Sequence, residues 1–467
     1  MKTKHFFLTL LAGASVLPFA LNAQSAEAEA ITAEPVATEA YDDDAQAHEQ
    51  PGGFVRFYVP SYGASGGGWA GLVRGMGITK VFKYFFEGEI KGADTDHPVR
   101  GTPGWKYVVM MTIACFFTYL AIVKKIEPLL LLPLSFGILL ANLPEAGLSA
   151  YDTGRLLHFL YGGIRNVIYP PMIFLCLGAM TDFAPLIANP RIAIIGIGGQ
   201  LGIFVAFGIA FYSSKWIPGV EAFTLKEAAA TGIIGSSDGP TSIFAATMLA
   251  ENLLAPIAIA AFSYMALVPF IQAPLMRLMT TKKERVIVMP HPKEVSRKQK
   301  ILFPIFVTII TLLLVPAASP LISMLMLGNL FRESGVVDRF VRALTGDLLS
   351  ILTMLVALSI GSSARADFFL TTQTILIITC GLLAFIFGTI GGLGAAKFLC
   401  WFTKGKINPL IGNSGVSAMP MAARISQKLG QQYNPNNHLL MHAMGPIVAS
   451  TIGSAVVAGI FIALFNQ

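Results

Sequence analysis

The sequence predicts an all-α polytopic membrane protein with about ten to twelve membrane segments and two inverted repeats built on broken helices. Three observations carry that expectation. The chain is 54% hydrophobic and 13% charged over 467 residues, whereas soluble domains carry about 25% charged residues. Its apolar runs are long, and charge is expensive in lipid. Its 45 glycines and 27 prolines interrupt several of those runs, as happens in transporters where backbone must line a site.

Residues 1–105 precede the membrane segments. Residues 1–26 read as a secretory signal: Lys2 and Lys4 precede an apolar core from Phe6 to Leu21, and small residues follow at Ala23 and Ala26. A retained membrane anchor is the alternative. Residues 27–50 are acidic and Ala-rich, with Asp42, Asp43 and Asp44 in a row, and read as a disordered tail. Residues 51–105 mix Gly-rich turns with aromatic and basic stretches such as Trp69 to Phe86, which fits an amphipathic segment on the membrane face.

Membrane segments follow at about 107–123, 128–142, 166–183, 191–213, 227–248, 252–279, 301–317, 319–331, 346–362, 371–395, 408–423 and 438–464. A span needs roughly 20 apolar residues, so the shorter and Pro-interrupted segments are expected to be broken or re-entrant. The division expected is a first repeat over 106–279, a basic loop over 280–300 and a second repeat over 301–467. Lys282, Lys283, Arg285, Lys293, Arg297, Lys298 and Lys300 make that loop cytoplasmic by the positive-inside rule, as Lys124 and Lys125 do for the first connection. The net charge of +7 falls in such loops, so nucleic acid is excluded as the partner. Cys115, Cys176, Cys380 and Cys400 have no metal-ligand or pairing pattern and read as packing residues, as do Met265 and Met276.

Two strings suggest a duplication. I-G-S-S-D-G-P-T-S-I-F-A-A (234–246) aligns without gaps on I-G-N-S-G-V-S-A-M-P-M-A-A (411–423), and G-A-M-T-D-F (178–183) echoes G-S-S-A-R-A-D-F (361–368) with a small gap.

The first string carries the chemistry. Asp238 is flanked by Ser236, Ser237, Gly239, Pro240 and Thr241 inside an apolar run. Pro240 removes a backbone donor and Gly239 loosens the chain. Freed carbonyls, hydroxyls and one carboxylate suit a partly dehydrated sodium ion or proton, since hard cations take oxygen ligands. In a second motif, Asn408 to Arg424, Asn408, Asn413, Ser414 and Ser417 supply oxygens, Gly412 and Gly415 loosen the chain, and Arg424 is the nearest cation. A sodium ion or a proton is therefore expected at Asp238, with oxygens of Ser236, Ser237, Asn408, Asn413 and Ser417 as candidate ligands; the ion set Asp238, Asn408 and Ser417 with Gly412 is what the resemblance described below implies. Asp238 and Asn408 are expected to face each other. His442 reads as structural, and Asp182 and Asp367 as caps at segment ends.

These strings, with A-F-S-Y-M-A-L-V-P (261–269), K-K-I-E-P-L-L-L-L-P (124–133), L-P-E-A-G (143–147) and L-L-M-H-A-M-G-P (439–446), resemble the β subunits of sodium-pumping biotin-dependent decarboxylases, the oxaloacetate, methylmalonyl-CoA and glutaconyl-CoA decarboxylase family. The resemblance runs from about residue 107 to the C-terminus. It implies a multi-pass protein of the bacterial inner membrane that decarboxylates carboxybiotin and exports Na+ while consuming a proton. The biotin is carried by a carboxyltransferase α subunit; a small membrane γ/δ subunit and a homo-oligomer are the other implied partners. It gives Asp238 the central ion role and assigns Tyr264 and Arg424, with Asn408, Gly412 and Ser417, to proton supply, carboxybiotin handling or ion binding. Three features depart from the family pattern: Gly235-Ser236-Ser237 stands where Gly-Gly-Ala is usual, Ile447 stands where Asn often follows Gly-Pro, and the first 100 residues are extra. The competing reading is a sodium-coupled secondary transporter of a small organic anion.

Overall fold

The computed structural model describes residues 103–143, 147–216, 222–290, 294–418 and 421–465. The expected signal (1–26), acidic tail (27–50) and nearly all of the surface segment (51–105) lie outside the described residues. Within them the protein is helical throughout. Five helices are long and apolar enough to cross a membrane: Gly104–Ile122, Pro190–Lys215, Asp338–Ser363, Thr372–Phe402 and Leu440–Phe465. Two bent pairs raise the number of candidate spans to seven; the other expected segments are shorter or broken pieces. In one pair, Leu156–Arg165 and Tyr169–Met180 meet at 66°, and Val167 between them takes φ 57°, a left-handed conformation costly for a β-branched residue. The outer surface is apolar, with Leu129, Phe136, Leu313, Ile375 and Trp401 all exposed, as a lipid-facing wall requires.

Helices of the two halves pair with each other. We label Pro128–Ala141 α1, Tyr169–Met180 α2, Ser319–Ser334 α3 and Leu349–Ser363 α4. A Cβ on Gly137 of α1 would fall 2.5 Å from Leu358 O, and one on Gly361 of α4 would fall 2.2 Å from Leu134 O. The pair α2–α3 does the same: a Cβ on Gly178 would fall 1.9 Å from Leu325 O, and one on Gly328 would fall 2.0 Å from Leu175 O. In lipid, where burial gives helices no hydrophobic drive to associate, small residues let backbones approach and van der Waals packing take over. An asparagine closes each pair. Asn142 Nδ2 donates to Ala364 O at 2.8 Å, and Asn329 Nδ2 donates to Thr181 O at 3.1 Å, so each satisfies a carbonyl freed at the end of the opposite helix.

The segment after residue 280 is more ordered than a bare basic loop. Thr281 closes a capping box with Glu284 around Lys282–Arg285. Arg285 is buried; it donates to Thr280 Oγ1 at 2.9 Å and to Tyr433 Oη at 2.6 Å, and its guanidinium lies over the Tyr433 ring. One of the seven loop cations is thus an internal clamp. The next helix starts at Arg297 behind a second capping box, Ser296 with Gln299.

Candidate functional site

Asp238 sits where a helix comes apart and restarts. Leu225–Ile233 begins at a Thr224–Glu227 capping box. One 3-10 turn follows, Ile234–Ser236. Ser237 then takes the left-handed conformation, φ 58°, and Asp238 is extended at φ −115°, ψ 100°. Helix Gly239–Leu249, labelled α5, resumes with Pro240 in its first turn, where the missing N–H costs nothing. The unwinding turns the carboxylate inward, leaving Asp238 only 4% exposed.

That carboxylate has hydroxyl partners. Oδ2 accepts from Thr241 Oγ1 at 2.8 Å and from Ser454 Oγ at 2.9 Å. Its backbone N–H donates to Ser236 Oγ at 3.3 Å, and its carbonyl accepts from Ser242 Oγ at 2.8 Å. Among the described residues no Lys, Arg or His forms an ion pair with it. A buried carboxylate without a cationic side chain is costly unless a proton or a bound cation neutralises it.

The second broken segment lies against the first. Pro409–Gly415 is a buried 3-10 stretch, and Ser417 N donates to Ser236 O at 2.9 Å, joining the two. Ser417 Oγ donates to Ser450 Oγ at 2.9 Å. Gln200 Nε2 reaches Ser450 Oγ at 3.0 Å and Ser450 O at 3.1 Å. Ser450 and Ser454 stand one turn apart on Leu440–Phe465, labelled α6. One helix face therefore meets both broken segments, Ser450 at the second and Ser454 at the first. On the two broken segments and on Gln200, several buried oxygens have no hydrogen-bond partner among the described residues: Gln200 Oε1, Ser237 Oγ, Asn413 Oδ1 and Ser414 Oγ. Orphaned acceptors and a carboxylate are the kinds of atom a hard monovalent cation takes, and the described residues hold no cluster of His, Cys, Asp and Glu of the kind transition metals prefer.

Crossing helices hold the segments together. A Cβ on Gly199 would fall 1.8 Å from Gly415 O, one on Gly202 2.6 Å from Gly235 O, and one on Gly392 2.4 Å from Gly412 O. Gly412 thus serves close backbone approach.

Other expected residues make their hydrogen bonds elsewhere than at the carboxylate. Asn408 Nδ2 donates to Ile287 O at 2.8 Å and Arg285 O at 3.2 Å, while its Oδ1 accepts from Leu410 N at 2.9 Å. Its amide is occupied by the segment after residue 280, and it makes no hydrogen bond to Asp238. Tyr264 is buried and donates to Ile378 O. Arg424 is exposed on helix Met421–Tyr433. Asn413 Nδ2 donates to Ala422 O at 3.0 Å, leaving only its oxygen free. Sequence reading missed Gln200, Ser450 and Ser454. The signal available was the i, i+4 pair of serines in A-S-T-I-G-S-A (449–455), whose residue types are ordinary in a packed membrane helix.

The family model for the Na+-transporting oxaloacetate decarboxylase beta subunit matches residues 106–465. The chain belongs to that family. It is 49% identical over 381 residues to the methylmalonyl-CoA decarboxylase subunit beta of Propionigenium modestum, covering 77% of this chain and 95% of that protein. It is 50% identical over 360 residues to the glutaconyl-CoA decarboxylase subunit beta of Acidaminococcus fermentans, covering 77% and 93%. The oxaloacetate decarboxylase beta chain of Klebsiella pneumoniae is 43% identical over 408 residues, covering 76% and 94%. All three names denote one subunit of a decarboxylase assembled from several.

Proposed function

We propose that this chain is the membrane subunit that decarboxylates carboxybiotin and couples that reaction to export of Na+ across the bacterial inner membrane. Carboxybiotin loses CO2 as its ureido nitrogen takes up a proton, so one proton is consumed per turnover. The carboxylated biotin is carried by a carboxyltransferase α subunit, and a small γ/δ membrane subunit and further copies of this chain complete the complex. The acid or acyl-CoA is selected by the α subunit.

The observation that carries the reading is Asp238: a carboxylate 4% exposed, held by two hydroxyls and, among the described residues, by no cationic side chain. Na+ and H+ are alternative occupants that neutralise it. Sodium binds the carboxylate with oxygens from Ser236, Ser237 and Ser417, and its binding favours the state in which carboxybiotin reacts; a ligand biases two states only through differential affinity. A proton then displaces it outward. Asn413 contributes its free oxygen. Asn408 acts as a positioning residue through the 285–287 carbonyls, and Tyr264 and Arg424 belong to the path of proton and substrate.

The test is Asp238→Asn in the complex reconstituted in vesicles. Both 22Na+ uptake and Na+-dependent decarboxylation are expected to vanish, while carboxyl transfer to biotin by the soluble partner persists. Near-normal Na+-dependent decarboxylation in this variant would overturn the assignment. Na+-driven uptake of an organic anion by the chain alone would favour a secondary transporter instead.

A further inference from the structure

We infer that Arg285 is a positioning residue for the cation site, acting through its backbone carbonyl on the segment that carries Ser417 and on the helix that carries Ser450 and Ser454; the inference rests on the function proposed above. Residues 280–287 form a short strap that follows helix Leu254–Met279. Side chains of the second half take its last three carbonyls. Asn408 Nδ2 donates to Arg285 O at 3.2 Å and to Ile287 O at 2.8 Å. Asn434 Nδ2 donates to Val286 O at 3.3 Å, and Asn437 Nδ2 donates to Arg285 O at 3.1 Å. Arg285 O therefore joins two places. Asn408 stands directly before the 3-10 stretch Pro409–Gly415 and caps it through Leu410 N. Asn437 stands just before α6. Both asparagines are wholly buried.

The consequence lies at the far end of the same two pieces. The 3-10 stretch leads to Ser417 and α6 leads to Ser450, and their hydroxyls meet at 2.9 Å. Ser454, one turn further along α6, holds Asp238. The two pieces are thus joined twice, by a hydroxyl pair near the carboxylate and by one carbonyl of the strap. The stretch between has no slack: a Cβ on Gly412 would fall 2.6 Å from Gly392 O. Close-packed interiors transmit strain, so a shift of Asn408 against Asn437 reaches the Ser417–Ser450 contact.

The side chain fixes where that carbonyl stands. The buried guanidinium has no ion-pair partner among the described residues. Instead it donates to Thr280 Oγ1 at 2.9 Å, to Thr280 O and Arg277 O, and to Tyr433 Oη at 2.6 Å. Carbonyls at a helix C-terminus carry partial negative charge and favour a cation. Acceptors in several directions call for the planar fork of arginine; a lysine ammonium offers three donors from one point. Tyr433 ends helix Met421–Tyr433, so one side chain ties the last helix of the first half to the second broken segment's return helix. Lys397 adds a bond to Met279 O at 3.0 Å.

The experiment follows decarboxylation in the complex reconstituted in vesicles. Readouts are the Na+ concentration for half-activation, half-saturation by the carboxylated biotin carrier and the unfolding temperature in detergent. Arg285→Gln loses the fork and releases the carbonyl. It should raise half-activation by Na+ ~10-fold, the size of one or two neutral hydrogen bonds, with half-saturation by the carrier unmoved. Arg285→Lys should recover part of the loss. Asn437→Ala cuts the same link from the other side, so adding it to Arg285→Gln should shift the Na+ curve no further. Tyr433→Phe keeps the ring, loses one acceptor and should shift the curve ~3-fold in the same direction; with Asn437→Ala it carries the test if Arg285→Gln does not fold. A lower unfolding temperature with an unmoved Na+ curve overturns the inference and makes Arg285 a structural clamp only. So do additive shifts in the double variant, or a change confined to half-saturation by the carrier. A wild-type complex without Na+-dependent decarboxylation would instead refute the function on which the inference rests.

Discussion

The two broken segments, 234–246 and 411–423, align without gaps, yet they are built for different work. Position for position, Asp238 corresponds to Gly415. At the first, an extended residue carries a carboxylate held by Thr241 and Ser454. At the second, the backbone presses so close to a crossing helix that a Cβ would fall 2.6 Å from Ile195 O and 2.9 Å from Gly392 Cα. A side chain fits one site and is excluded from the other. The second segment instead presents neutral oxygens, Asn413 Oδ1 and Ser414 Oγ, buried without partners. The two aligned strings thus form a charged segment and a neutral segment. The charge that a cation must balance comes from one residue only.

Gly415→Ala should break this comparison most severely. Both contacts are backbone atoms, which cannot rotate away, so the crossing helices must separate; overpacking of this kind costs about 1–3 kcal/mol or more. A lower thermal unfolding temperature in detergent and loss of Na+-dependent decarboxylation are expected. A change one residue before Asp238 in the first half has the opposite sign. Ser237 holds φ 58°, and Ser237→Gly should relieve about 1 kcal/mol of left-handed strain while removing one orphaned hydroxyl. A stabilised protein with weaker Na+ activation is expected. If Gly415→Ala leaves unfolding unchanged, the close approach is not what holds the neutral half in place.

How much of this was legible in the sequence depends on what each residue does locally. Asp238 was legible because a carboxylate beside Gly-Pro in an apolar run has few structural explanations. The helical membrane class followed from composition, and the family from long strings such as I-N-P-L-I-G-N-S-G (407–415). Partners across the fold were not legible. Asn408 looked like an ion ligand by residue type, and only the path of the chain shows its amide spent on Arg285 O and Ile287 O. Ser454 lies 216 residues from Asp238 in sequence, and nothing local marks a serine in a small-residue helix as the donor to a distant carboxylate. Arg285 was counted among the loop cations because its run is basic, whereas Thr280 and Tyr433 draw it inside.

An intermediate effect is expected from the donors on the charged half. Ser454→Ala removes one hydroxyl from Asp238 Oδ2 but leaves Thr241. A hydrogen bond to a charged group is worth roughly 1.5–3 kcal/mol. The Ser454 proton is also within reach of Thr451 O at 2.9 Å, so the lower end applies. The Na+ concentration for half-activation should change by ~10-fold, with maximal decarboxylation largely retained. Thr241→Val should act in the same direction. An unchanged Na+ curve in both variants would mean that these hydroxyls hold the segment and do not tune the ion.

The smallest effect belongs to Gln200, which ties the end of helix Ala193–Gly199 to α6 beside the Ser417–Ser450 bond of the neutral segment. Its Nε2 donates to Ser450 Oγ, Ser450 O and Gly196 O at 3.0, 3.1 and 3.3 Å, while its Oε1 is buried with no partner. The amide nitrogen therefore serves the helix junction and the oxygen is left for something else. Two substitutions separate those roles. Gln200→Leu keeps the bulk and removes both atoms, so it should lower the unfolding temperature and weaken Na+ activation by ~3-fold, about half the worth of a typical neutral hydrogen bond pair. Gln200→Glu keeps the oxygens and loses the donor. If Oε1 faces the ion, this variant should destabilise the junction but hold or tighten Na+ activation, because a carboxylate oxygen is the stronger ligand. If Gln200 only ties the helices, both variants should lose stability equally and neither should shift the Na+ curve. The second outcome would confine cation binding to Asp238 and its hydroxyls, and would leave the neutral half as scaffold.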